Sequence, residues 1–246
     1  MSPTQALLWK EWTEHRWKLA FGTVMLASFA GALFAWGGIS NRELIILVLF
    51  IGCLVLSLFN AMGTFAEEHG EGTALFLAAR PIEAWRVFLG KWLIGWINAV
   101  VPLLACGLTM GVWFGSSAHS GPVVHGLVRG TLAIAWIATA LYSLTCCVTL
   151  RGGGPAAVGL GGLLWAGAMA LHAFLLEALS APASPAPSLM HTLASYVNPV
   201  FVLALVDPPP LLKNASWLPF AVGIAEQGIV LSVVLWIGLR NWRRSV

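Results

Sequence analysis

Charged residues divide this chain into long apolar runs. No Asp, Glu, Lys or Arg occurs between Lys18 and Arg42, between Glu43 and Glu67, or between Lys91 and Arg129. The same holds from Arg129 to Arg151, from Arg151 to Glu177 and from Glu226 to Arg240. A helix needs about 20 apolar residues to cross the hydrocarbon core of a bilayer. The runs therefore predict spans at Leu19–Ile39, Leu44–Ala66, Phe88–Phe114, Val124–Leu150, Pro155–Leu179 and Trp217–Leu239. Helices are expected because an open sheet edge would strand backbone polar groups in lipid. The expected fold class is an all-α membrane protein with six transmembrane helices, residues 1–246 forming a single transmembrane domain.

Ser188–Val206 is apolar enough for a seventh span. It is interrupted by Asn198-Pro199, preceded by Pro182, Pro185 and Pro187, and followed by Pro208, Pro209 and Pro210. Charge decides between the two layouts. Six spans with a cytoplasmic N-terminus put Lys10, Arg16, Lys18, Arg80, Arg86, Lys91, Arg151, Arg240, Arg243 and Arg244 inside. Only Arg42 and Lys213 then lie outside, with Arg129 just within the outer end of span four, which is a positive-inside distribution. Residues 180–216 are accordingly expected to form an outer re-entrant or interfacial segment, and both termini are expected in the cytoplasm of a bacterial inner membrane.

Composition agrees. The 246 residues are 59% hydrophobic and 9% charged, with a mean hydropathy of +0.84, whereas a soluble domain is about a quarter charged. The thirteen Trp suit interfacial anchoring. A net charge of +3 without a dense basic face excludes nucleic acid as a main partner. Cys53, Cys106, Cys146 and Cys147 fall inside the spans without C-x-x-C spacing, so they are expected to be small buried hydrophobes. Ala30-Gly31-Ala32 has the letters of a signal-peptide cleavage site. Glu11 and Glu14 upstream, and an apolar run continuing to Ile39, argue against cleavage.

Two cytoplasmic segments stand out. Residues 1–18 contain an amphipathic helix on which Leu8, Trp12 and Leu19 share a face with Trp9 and Ala20. Lys10, Glu14 and Lys18 align opposite. Such a helix is expected to lie in the headgroup layer. The second segment is the loop at 67–87. Glu67, Glu68, Glu71, Gly70 and Gly72 break span two at the membrane surface. Thr73 to Ala79 then allows roughly two helical turns, and Pro81 stops them. A short rigid helix there could transmit force to a docked soluble partner; an ordinary helix–helix connection reads equally well.

Leu8-Trp9-Lys10-Glu11-Trp12, followed by Glu67…Glu71-Gly72-Thr73…Leu77…Arg80-Pro81-Ile82…Arg86…Leu89-Gly90-Lys91, resembles the membrane subunit of ABC-2-type ABC transporters. The six-span layout with a re-entrant segment before the last span is similar too. The resemblance covers the chain in architecture and about a tenth of it in motif. It implies an N-terminal elbow helix at 1–18, and a coupling helix from Glu68 to Arg80 docked on an ABC ATPase subunit. It also implies a dimer, with a second permease copy or a paralogue, that exports a substrate. Glu67, Glu68, Glu71, Gly72, Thr73, Leu77, Arg80 and Pro81 would be the coupling residues. The bulky N-terminus with Trp9, Trp12 and Trp17 departs from the pattern and leaves the subfamily open.

The sequence supports one requirement of that reading independently. It contains no G-x-x-x-x-G-K-[ST] phosphate cradle; Gly90-Lys91 is followed by Trp92. The cytoplasmic segments are too short for a nucleotide domain. No cofactor is expected in this chain, ATP and Mg belonging to the partner ATPase, and the chain itself is not expected to be an enzyme.

Polar residues within the spans are few. Glu226 lies inside span six, where an ionised group costs on the order of 2.5–3.5 kcal/mol unless it faces protein or water. Arg129 and Glu177 are its candidate partners, either as a structural ion pair or in a substrate path. His172 and Asn98 are expected to make interhelical hydrogen bonds. Gly107, Gly111 and Gly115, with Ala157 and Gly161, form small-residue faces suited to close packing or dimerisation. Pro102 is expected to kink span three. An intramembrane protease is disfavoured. Glu67-Glu68 has Gly72 where an E-E-x-x-x-R motif needs Arg, and Gly115-Ser116 has only the distant His172 as a base. A non-transporting subunit that relays ATPase motion to an outer partner is the remaining alternative. The apolar interior favours lipid-like or amphipathic cargo only mildly.

Overall fold

The computed structural model describes residues 3–37, 42–66, 83–115, 121–150, 154–179 and 218–245. These form six helices: α1 Pro3–Gly37, α2 Arg42–Ala61, α3 Ala84–Gly115, α4 Gly121–Thr149, α5 Pro155–Leu179 and α6 Leu218–Ser245. A π-helical turn, Met62–Ala66, extends α2. There is no strand among the described residues. Four of the helices contain stretches long and apolar enough to cross a membrane: Leu44–Phe65, Ala84–Trp113, Leu127–Thr149 and Pro155–His172. In α6 the apolar stretch is shorter, Gly228–Trp242. The architecture is that of a multi-pass helical membrane protein. Residues 67–82 and 180–217, which hold the expected coupling helix and outer segment, lie outside the described residues.

Close approaches at glycines give the helix directions. Leu56 of α2 lies 2.9 Å from where a Cβ on Gly22 of α1 would sit, and Leu26 of α1 abuts Gly52 of α2, so these helices are antiparallel. Gly95 of α3 abuts Tyr142 of α4, while Gly107 abuts Thr131, so this pair is antiparallel as well. By contrast α2 and α4 run parallel, with Ser57 bonded to the carbonyl of Ala138 and Thr64 beside Tyr142. α6 is parallel to α4, since Ile224 packs by Ala133 and Gly238 by Cys147.

α4 is the hub, with 72% of its spanning stretch buried, against 17% for α5. Its hydroxyls make the contacts. Trp92 Nε1 donates to Ser143 Oγ at 3.1 Å, and Trp96 Nε1 donates to Thr139 Oγ1 at 2.9 Å. Most α4 hydroxyls also bond back to the carbonyl four residues earlier, which satisfies them without water. The glycine face of α3 is consumed here: Gly107 meets Thr131, and a Cβ on Gly111 would lie 3.6 Å from Val128. Gly161 of α5 likewise meets Thr145, whose Cα lies 2.9 Å from where a Cβ on Gly161 would sit. These faces pack α4 within one chain, so the dimerisation reading of them does not apply at Gly107, Gly111 and Gly161. All four cysteines are buried and free.

The N-terminal segment differs from the expected elbow. α1 is one continuous helix of 35 residues, with no break between its charged and apolar parts. Its buried face also departs from the wheel in part: Lys10 and Glu14 are exposed as expected, but Lys18 is not. Trp9 and Trp17 are exposed, while Glu11 and Lys18 are buried with Leu7 and Leu26. The reason is that α1 packs beside α3, which presents Lys91 to Glu11.

Candidate functional site

Glu67, Glu68, Glu71, Gly72, Thr73, Leu77, Arg80 and Pro81 lie outside the described residues. What is described is the base on which their segment stands. Phe65, just before it, stacks on Phe88, just after it, with ring centroids 5.4 Å apart, and Trp242 of α6 lies 5.7 Å from Phe65. Leu7, Tyr142, Cys146 and Leu150 complete this cluster. Five helices therefore meet where the loop is rooted. Residues near both chain ends, Leu7 and Trp242, pack in the same place.

Beside this cluster lies a buried group of charges. Glu11 and Lys91 are each 3% exposed, and Lys91 Nζ donates to Glu11 Oε1 at 2.5 Å. One turn on, His15 Nε2 is 3.7 Å from Glu11 Oε2. Asn98 Nδ2 of α3 donates to the His15 carbonyl at 3.4 Å. Lys18, one further turn along, is buried with its ammonium 5.4 Å from the Phe59 ring of α2. Burial in this wall holds the His15 pKa below its ordinary 6.5. Lys18 adds to the lowering, Glu11 opposes it, Lys91 adds again and Glu14 opposes. The imidazole is therefore neutral at pH 7.

A helix that buries Glu11 and Lys18, with a half-buried His15 between them on the same face, makes no sense in isolation. A buried ion pair loses several kcal/mol per ion in desolvation, and it is kept only where geometry and further hydrogen bonds offset that loss. Glu11, Glu14 and His15 bring ligand-type atoms within 4.8 Å of one another. However, Glu11 is already engaged by Lys91, and Lys18 adds further positive charge, so the arrangement suits proton exchange rather than a divalent cation. The spacing of Glu11, His15 and Lys18 at i, i+4 and i+7 was a readable signal. The charge stripe Lys10–Glu14–Lys18 competed with it, and only Lys10 and Glu14 prove to be exposed, 3.6 Å apart.

The remaining polar residues are described only in part. Asn98 is fully buried and takes part in this cluster. His172, in the second half of α5, and Arg129, near the start of α4, are both half-buried. The side chains of Glu177 and Glu226 lie outside those described. The register of Ala133 with Ile224 and Cys147 with Gly238 sets Arg129 level with residue 220. At 1.5 Å per residue, Glu226 is then about 9 Å farther along the axis.

No protein-family model matches the chain, and neither a curated protein nor a solved structure matches it.

Proposed function

We propose that the chain is the transmembrane subunit of an ABC-2-type transporter, with six spans, exporting a substrate with energy from a separate ATPase. The observation that carries the proposal is the way the loop after α2 is rooted. A helix-forming stretch, Thr73 to Ala79, sits between the acidic and glycine residues before it and Pro81 after it. It emerges from an aromatic cluster that draws on α1, α2, α3, α4 and α6. Force applied to such a loop reaches five helices at once. The lack of a G-x-x-x-x-G-K-[ST] motif in this sequence supports ATP hydrolysis by a separate chain. The shared cluster of Leu7 and Trp242 favours an even number of crossings with both termini on one side, and the distribution of basic residues supports the cytoplasmic side.

In this mechanism, ATP-driven closure of the paired ATPases pushes the segment from Glu68 to Arg80 and tilts the spans, alternating access across a dimer. The test is to purify the chain from its native membrane with its partners. An ABC ATPase is expected in about equal amount. Gly72→Pro together with Glu68→Lys is expected to release it while the membrane chain still folds. Retained ATPase binding and activity, or ATP hydrolysis by the purified chain alone, would refute the assignment. Substrate-stimulated hydrolysis in liposomes separates export from a purely mechanical relay.

A further inference from the structure

We propose that Glu11, His15 and Lys91 form a proton-operated latch between α1 and α3. The geometry has the two elements a latch requires. The first is an interhelical bond, Lys91 Nζ to Glu11 Oε1 at 2.5 Å, which ties α3 to α1 by a buried ion pair. The second is a competitor on one of the helices it joins, the His15 imidazole, whose Nε2 stands 3.7 Å from the other oxygen of the same carboxylate. Neutral His15 is too far for a strong hydrogen bond and leaves Glu11 to Lys91.

Protonation changes both interactions. Imidazolium brings a second cation to Glu11, and it does so from within α1, so the carboxylate can be satisfied intrahelically. The same charge repels Lys91 on α3 and Lys18 on α1. Glu14, on the exposed side of α1, is paired with Lys10 at 3.6 Å and draws the imidazolium outward. From α3 the other group facing His15 is neutral, the Asn98 amide on its carbonyl. α2 presents the neutral ring of Phe59 to Lys18. The low proton affinity that burial and Lys18 impose on His15 keeps the latch closed at neutral pH, and protonation in acid opens it. At a bundle end where α1 and α3 both meet the root of the loop, this makes the packing of α1 a function of local proton concentration. The inference needs no transport activity and stands apart from the ATPase assignment.

Spin labels test it on the full chain in lipid nanodiscs. Thr13 and Leu89 are exposed positions on α1 and α3, and the native cysteines are buried. With cysteines at Thr13 and Leu89, a single short distance is expected at pH 8. At pH 5.5 a second population longer by roughly 5 Å, the order of one helical turn, is expected. His15→Gln and His15→Asn should hold the short distance at both pH values. If either His15 variant fails to fold, the double variant Glu11→Gln with Lys91→Met serves instead and should show no response to pH. The latch is overturned if the wild-type distance does not change, or if these variants lengthen as the wild type does.

Discussion

At the scale of single residues, burial separates charges that look alike in the sequence. Lys10 and Glu14 are 59% and 50% exposed, and their ion pair should contribute little. Glu14→Gln is expected to change unfolding stability by less than about 1 kcal/mol. Lys91→Met leaves Glu11 buried and without its Lys91 partner, which costs about 3–5 kcal/mol. Replacing both partners, Glu11→Gln with Lys91→Met, should restore a large part of that loss. Reversible unfolding of the wild type, Glu11→Gln, Lys91→Met and the double variant in one mixed micelle gives the double-mutant cycle. A cycle with no coupling would show that the pair contributes nothing. His15 adds a pH dependence of known sign. Its pKa in the folded chain lies below 6.5, so the unfolded chain takes up the proton first. Stability is full above about 6.5 and is lost as pH falls through the folded value, and His15→Gln should flatten that decline.

At the scale of helices, small residues decide how closely neighbours approach. Gly107 has no room for a methyl group, because the Thr131 side chain occupies the position. Gly107→Ala should therefore destabilise the α3–α4 contact by about 1–3 kcal/mol, with partial recovery on adding Thr131→Ala. Gly159 of α5 faces outward, and nothing lies within 4 Å of the point where a methyl group would sit. Gly159→Ala should cost nothing, and could raise stability by up to about 1 kcal/mol through helix propensity. Thermal unfolding of both variants checks the contrast. The G-x-x-x-G spacing itself was visible in the sequence. Which helix it would receive was not, because a glycine face is complementary to any neighbour of suitable shape.

At the scale of the whole molecule, the aromatic cluster at the loop root ties together residues far apart in the chain. Trp242 is buried between Phe65 and its neighbours, and Trp242→Ala should cost about 3–5 kcal/mol. It should loosen the loop root as well as α6, read as faster proteolysis between residues 67 and 82. Because Leu7 and Trp242 share the cluster, tags at the two ends should react with an impermeant reagent from the same side of a sealed vesicle. Labelling from opposite sides would exclude an even number of crossings.

The apolar runs by themselves determined that this is a helical, multi-pass chain, and placed α2, α3, α4 and α5 closely. Long charge-free stretches have only one low-energy solution in lipid, since each helix satisfies its own backbone. α1 runs through Lys18 without a break, and its burial departs from the wheel because a wheel for one helix cannot say which neighbour will cover which face. Tertiary packing turned Glu11, His15 and Lys18 inward and gave Glu11 its partner on α3, 80 residues away. Pairing of charges across a bundle depends on the register of two helices, and that register is set by close contacts such as Leu8 on Gly90, which no local pattern encodes.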